Sequence, residues 1–137
     1  MWTCGRTAFA DKNQVDALGC HSPIQSKFPE PLRFKDQKTI YNKVVAWQTP
    51  VKEGYAKITA DLLTISDMLE VSKISNADKA QVQVYAEQAR TIAAKIKDDG
   101  SWGVHAPKYA KQLVQEGQVF TEQALAILNQ KPATAKK

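Results

Sequence analysis

Three stretches of this chain repeat apolar side chains at intervals of three and four residues, the spacing that places them on one face of an α-helix. In the first stretch, beyond Asp36, the stripe consists of Ile40, Val44, Trp47, Val51, Tyr55, Ile58, Leu62, Ile65 and Leu69. Pro50 falls inside this stretch, and Thr49 before it is a candidate N-cap. We therefore expect a kink or a break in the helix at this point.

The second and third stretches carry start and stop signals of their own. The second begins near Ser75, with Asp78 three residues later as a capping partner, and Gly100 ends it. The third runs from about Pro107 to Gln130. The second stripe is formed by Val82, Tyr85, Ala89, Ile92 and Ile96. The third is formed by Ala110, Leu113, Gly117, Phe120, Ala124 and Ile127.

These signals predict an all-α fold in which long antiparallel helices bury their apolar faces against one another. Strand patterns and internal repeats are absent from the sequence. Glycine and proline are frequent in the first 35 residues, which favours an irregular conformation there. We therefore expect a loop-rich segment at 1–35, a helical domain at 36–130 and a disordered basic tail at 131–137.

The composition excludes several function classes. The 137 residues are 24% charged and 43% hydrophobic, which is typical of a globular protein with room for one domain. No apolar run has the length of a membrane span. The net charge of +5 is scattered, which makes nucleic-acid binding a weak interpretation. We expect neither a nucleic-acid partner nor a membrane span.

Two cysteines and one of the two histidines stand in the arrangement C-x15-C-H, formed by Cys4, Cys20 and His21. In the haem-attachment motif C-x-x-C-H, two thiols bond the porphyrin and the adjacent His ligates iron. Ala17 stands where the first thiol of that motif would be. The residues leave open a widened motif, a single thioether through Cys20, a chance pair, or a Cys4–Cys20 disulfide worth roughly 3 kcal/mol in the loop-entropy description.

The pattern of Cys4, Gly19, Cys20 and His21 resembles the atypical haem site of the octahaem cytochrome c sulfite reductases, whose active-site haem is attached through C-x15-C-H. The resemblance implies haem c as cofactor, with Cys4 and Cys20 as tethers and His21 as the proximal ligand of the iron. In that family the opposite face of the iron is open to sulfite. Other haems, attached through C-x-x-C-H motifs that this sequence does not contain, deliver electrons for the six-electron reduction to sulfide.

The second histidine, His105, lies in the connection between the last two predicted helices. Gly103, His105, Pro107 and Tyr109 resemble the G-x-H-N-P-x-Y segment of multihaem cytochromes related to ammonia-forming nitrite reductase and hydroxylamine oxidoreductase. Ala106 replaces the usual Asn and removes a side-chain cap from the helix start. The resemblance implies that His105 is an axial ligand of haem iron, either of a haem attached elsewhere or of the haem held by His21. The alternative is a loop residue that bonds to backbone.

We therefore expect the C-terminal part of an octahaem cytochrome c sulfite reductase, inactive alone because its electron path lies in the remaining haem domains. The expected partners are those domains, a small anion such as sulfite or nitrite, and a second copy bound through the helices. A signal sequence does not follow Met1, so we expect Met1 to be internal in a longer, exported, periplasmic chain. The competing hypotheses are an electron-transferring multihaem cytochrome fragment and a haem-free helical interaction module.

Overall fold

The computed structural model describes residues 37–130, which form three α-helices. Helix α1 spans Gln37–Val71, α2 spans Asn76–Asp99 and α3 spans Pro107–Leu128. Within these residues there is no strand, and the prediction of an all-α fold is confirmed. The chain divides into two compact units, Met1–Ala46 and Trp47–Lys137, and the core lies in the second. The predicted loop-rich segment at 1–35 and basic tail at 131–137 lie outside the described residues.

A kink or a break was predicted at Pro50; helix α1 continues through this residue, so a break is wrong and a kink stays a prediction. Proline lacks an N–H group and costs a helix interior roughly 3 kcal/mol. The turns that follow Pro50 are held by packing, because Val51, Ile58 and Leu62 are all buried. Burial of one large aliphatic side chain contributes about 1.5–3 kcal/mol, so several of them outweigh the local penalty of the proline.

Both ends of α2 carry the caps that the sequence predicts. The Ser75 Oγ accepts a hydrogen bond from the Asp78 N–H at 3.0 Å and donates one to the Asp78 carboxylate at 2.8 Å. At the other end, Gly100 adopts a left-handed conformation with φ of 68°, and its N–H donates to the Lys97 carbonyl at 3.1 Å. These bonds satisfy backbone and side-chain groups that the helix itself leaves unpaired.

Helix α3 begins at Pro107, as predicted, and ends at Leu128, two residues before the expected Gln130. Its N-cap is Ala106, whose side chain makes no capping bond. The first turn is closed by the Ala110 N–H, which donates to the Ala106 carbonyl at 2.9 Å. The start of α3 therefore depends on the fixed φ of proline rather than on a polar cap.

The three helices run up, down and up. Contacts between α1 and α3 advance in the same direction along both helices, since Gly54 lies at Val114 and Asp61 lies at Thr121. Contacts between α2 and α3 advance in opposite directions, since Tyr85 lies at Phe120, with ring centroids 6.1 Å apart, and Ile92 lies at Gly117. Consecutive helices are thus antiparallel, as predicted.

Most of the buried core belongs to the predicted stripes of the three helices; Ala86, Ala93, Val114 and Leu128 are buried in addition. Its buried apolar members are Val51, Ile58, Leu62, Ile65, Val82, Ala86, Ala89, Ile92, Ala93, Ile96, Leu113, Val114, Ala124 and Leu128. The buried Thr121 side chain of α3 reaches α1: its hydroxyl, which has one proton to donate, lies 3.1 Å from the Asp61 carboxylate and 3.0 Å from the Gln118 carbonyl of its own helix. The contact with Asp61 adds a polar link between α3 and α1 to the apolar contacts of the core.

Candidate functional site

The candidate site residues divide into two groups. Cys4, Cys20 and His21 lie outside the described residues, so their attachment role stays a prediction. His105 lies within them, in the connection between α2 and α3. The geometry of that connection decides what its imidazole can contact.

The connection has an unusual backbone. Three of its residues have positive φ: Gly100 at 68°, Trp102 at 54° and Gly103 at 94°. For a bulky side chain such as that of Trp102 this conformation is uncommon and costs free energy, which the surrounding contacts must supply. A Cβ atom on Gly103 would lie 2.9 Å from a methyl group of Val51, so only glycine lets the connection approach α1 this closely.

Ser101 stabilises the connection, because it is buried and each of its polar groups takes part in a hydrogen bond. Its carbonyl accepts hydrogen bonds from the Gln48 side-chain amide at 3.1 Å and from the Val104 N–H at 3.3 Å. Its hydroxyl accepts the backbone N–H of His105 at 3.3 Å and donates to the carboxylate of Asp99. One serine thus joins α1, the end of α2 and the histidine.

Asp99 completes the arrangement. Its Oδ2 accepts both the hydroxyl and the backbone N–H of Ser101, the latter at 3.2 Å, and its Oδ1 lies 3.9 Å from the Nδ1 of His105. The hydrogen bond from the Ser101 hydroxyl holds the pKa of the Asp99 carboxyl below its ordinary value, against a smaller opposing effect of desolvation. The carboxylate therefore stays ionised beside the imidazole.

The His105 ring points outward, with 72% of its side chain exposed. Its Nδ1 faces Asp99, which leaves Nε2 on the solvent side as a lone-pair donor when the proton is on Nδ1. A single imidazole is what one face of a haem iron takes from a protein. Among residues 37–130, no three or more His, Cys, Asp and Glu side chains are grouped so as to hold a metal ion.

Aromatic side chains flank the connection. The Trp102 ring meets the Tyr55 ring edge to face, with centroids 5.2 Å apart, and the Lys52 ammonium lies 6.0 Å from the Trp102 centroid. These side-chain contacts offset part of the free-energy cost of the positive φ of Trp102. Beside it, a small cavity of about 50 Å³ is lined by residues of all three helices, including Val51, Lys95 and Tyr109.

The sequence pointed to His105 but missed the residues that support it. Asp99 and Ser101 follow a helix end in a D-G-S order that is typical of a side-chain-bonded turn, so a local signal was present. Gln48 has no such signal, because its bond to Ser101 joins residues 53 positions apart. Within the same described range, no helix is both long enough and apolar enough to cross a membrane.

Comparison with known proteins shows what the chain is similar to. No family model matches the chain. The chain is homologous to part of a multihaem cytochrome, an octahaem sulfite reductase. The relative is the dissimilatory sulfite reductase MccA of Wolinella succinogenes, to which this chain is 42% identical over 128 residues, 93% of this chain and 18% of the relative. The chain thus spans about a fifth of the length of the protein that it matches.

The solved structure of W. succinogenes octahaem sulfite reductase MccA, form II, gives the same result. It matches with a TM-score of 0.78 and 41% sequence identity, covering 93% of this chain and 19% of that structure. The predicted resemblance to octahaem cytochrome c sulfite reductases is confirmed, as is the helical fold. The haem expected as cofactor agrees with this relative, which is an octahaem sulfite reductase.

Proposed function

We propose that this chain is the C-terminal part of an octahaem sulfite reductase and carries the haem at which sulfite is reduced to sulfide. The observation that carries the proposal is the 42% identity to MccA over 93% of the chain. An alignment of 128 residues leaves nine of the 137 unaligned, so Cys20, His21 and His105 all fall within the matched part. The C-x15-C-H arrangement supports the same assignment.

In this proposal, Cys4 and Cys20 form thioethers to a haem c and His21 is the proximal ligand of its iron. When bound, the haem would supply the redox chemistry and a position at which the substrate sulfur would bind. Cys4, Cys20 and His21 would hold it, and the other haems of the longer chain would supply the six electrons that each sulfite requires. A disulfide or an unmodified pair of thiols would serve neither purpose.

His105 has a separate role in this proposal, as an axial ligand to the iron of a haem attached elsewhere in the longer protein. Support comes from its exposed ring, from the Asp99 carboxylate near Nδ1 and from the hydrogen bonds that Ser101 makes within the connection. Metal-binding histidines commonly donate their second ring N–H to a carboxylate, which this geometry permits after a small approach of the two groups.

The remaining partners follow from the same assignment. The substrate is a small oxyanion, sulfite in the first place and nitrite as a second candidate. The electron donors are the other haem domains of the longer chain, and two copies associate through their helices. Covalent haem attachment takes place outside the cytoplasmic membrane, so the protein is periplasmic.

The experiment uses the complete protein that contains this sequence, produced in a bacterium that exports and matures c-type cytochromes. Three variants are compared, Cys20→Ala, His21→Ala and the neighbouring control Ser22→Ala. We expect Cys20→Ala to lose one haem per chain or to leave it held by a single thioether. His21→Ala should keep most of its covalent haem and lose sulfite reduction by reduced viologen dye, because the iron loses its proximal ligand. Ser22→Ala should behave as wild type.

Two results would overturn the proposal. If Cys20→Ala keeps the wild-type haem content with unchanged attachment, the motif does not bind haem. If His21→Ala keeps wild-type sulfite reduction, the haem held here is not the site of the reaction, and an electron-transferring cytochrome becomes the better assignment.

A further inference from the structure

We infer that Asp99 is a positioning residue for His105: its carboxylate keeps the imidazole proton on Nδ1 and turns Nε2 toward the iron. The inference rests on the proposed role of His105 as a haem ligand and adds what fixes that ligand. Its basis is the described cluster of Asp99, Ser101, His105 and Gln48, whose members come from two helices and the connection.

The two oxygens of Asp99 have different tasks. Oδ2 is held by the hydroxyl and the backbone N–H of Ser101, so the carboxylate cannot rotate without losing two hydrogen bonds. Oδ1 is thereby aimed at Nδ1 of His105, 3.9 Å away. A carboxylate at that side favours a proton on Nδ1 and makes Nε2 the metal-binding nitrogen.

The position of the histidine backbone is fixed as well. The His105 N–H donates to the same Ser101 hydroxyl that binds Asp99, so the ring and its carboxylate share one anchor. That anchor is 6% exposed and is tied to α1 through Gln48. Because these bonds form within the described residues, the backbone of His105 and the Asp99 carboxylate are positioned independently of any iron.

The carboxylate also affects the iron. An anionic partner on Nδ1–H makes the imidazole a stronger donor, which favours the ferric over the ferrous state. Replacing Asp99 by a neutral side chain should therefore raise the reduction potential of the one haem that His105 ligates. If Asp99 had only a structural role, its replacement would change the stability of the protein but would not selectively change the reduction potential of one haem.

The test compares Asp99→Asn with Asp98→Asn in the complete, haem-loaded protein. Asp98 is the exposed neighbour of Asp99 and carries the same charge, which makes it a matched control. Spectropotentiometry and electron paramagnetic resonance at low temperature report individual haems. We expect Asp99→Asn to raise the midpoint potential of one low-spin haem and change its g-values, with haem content and the other haems unchanged. Asp98→Asn should change neither.

Two further variants make every outcome informative. Ser101→Ala removes the shared anchor but keeps the carboxylate, and should alter the same haem signal and speed amide hydrogen exchange in the segment 101–105. His105→Ala removes the ligand itself. If His105→Ala leaves all haem signals unchanged, the ligand role fails and the inference with it. If His105→Ala changes one signal while Asp99→Asn leaves it unchanged, the inference alone is overturned, whatever the effect of Ser101→Ala.

Discussion

Gly54 of α1 packs directly against Val114 of α3, so closely that a Cβ atom on Gly54 would lie 3.2 Å from the Val114 Cβ and closer still to its methyl groups. The side chain of valine is restricted at χ1 and cannot easily turn away. Overpacking costs about 1–3 kcal/mol, and the higher helix propensity of alanine offsets roughly 1 kcal/mol. We expect Gly54→Ala to lower the free energy of unfolding by about 1 kcal/mol, measured by urea unfolding of the 137-residue chain.

The double-mutant cycle with Val114→Ala isolates this contact. Without the valine methyl groups, the added Cβ has space, and the penalty of Gly54→Ala should largely disappear. A penalty of equal size in both backgrounds would show that the two residues do not clash.

The cap of α2 offers a second test. The Ser75 hydroxyl bonds both the backbone and the carboxylate of Asp78, and removing an N-cap side chain costs about 1 kcal/mol. Ser75→Ala should destabilise the chain by that amount, whereas Ser66→Ala, at an exposed position inside α1, should be neutral. The melting temperatures of the two variants can be compared by thermal unfolding followed by circular dichroism. Equal melting temperatures would show that the Ser75 cap does not stabilise the chain.

A third prediction concerns the buried hydroxyl of Thr121. Thr121→Val keeps the shape of the side chain but removes the donor to Asp61, which then retains its ion pair with Lys57 at 2.8 Å. A hydrogen bond of this kind contributes about 1 kcal/mol. The control is Thr64→Val, whose hydroxyl bonds only its own helix at an exposed site and should cost less. Equal losses in urea unfolding would mean that the link between α1 and α3 adds nothing.

The two glycines of the connection should respond differently to alanine. Both have positive φ, which disfavours a residue with a Cβ atom, but Gly100 has no atom within 4 Å of that Cβ while Gly103 meets Val51 and Ala110. Gly100→Ala should cost about 1 kcal/mol from backbone strain. Gly103→Ala should cost more, because overpacking adds to the strain. Urea unfolding that ranks the two variants in the opposite order would contradict the close approach of the connection to α1.

The sequence predicted what depends on short-range periodicity and local capping. Three helices, the stripe through Ile58 and Leu62, and the signals at Ser75 and Gly100 were all visible, because a helix repeats every 3.6 residues and its caps are neighbours in the chain.

What escaped prediction depends on contacts between distant residues. A kink or a break was expected at Pro50, and α1 does not break there, because the turns that follow are packed in the core. The close contact of Gly54 with Val114 joins residues that are far apart in the chain, so no local pattern predicts it. The support of His105 by Gln48 depends on how α1 meets the α2–α3 connection, which no local pattern encodes.

The most direct test of the haem assignment is mass spectrometry of tryptic peptides from the exported, matured protein. Trypsin cuts after Arg6, Lys12 and Lys27, which places Cys4 and Cys20 on different peptides. We predict that the two peptides are detected as one cross-linked species, whose mass includes one haem. Thiol reductants should not separate them, because thioethers are not reducible. Two haem-free peptides, or a pair that separates on reduction as a disulfide does, would contradict the assignment.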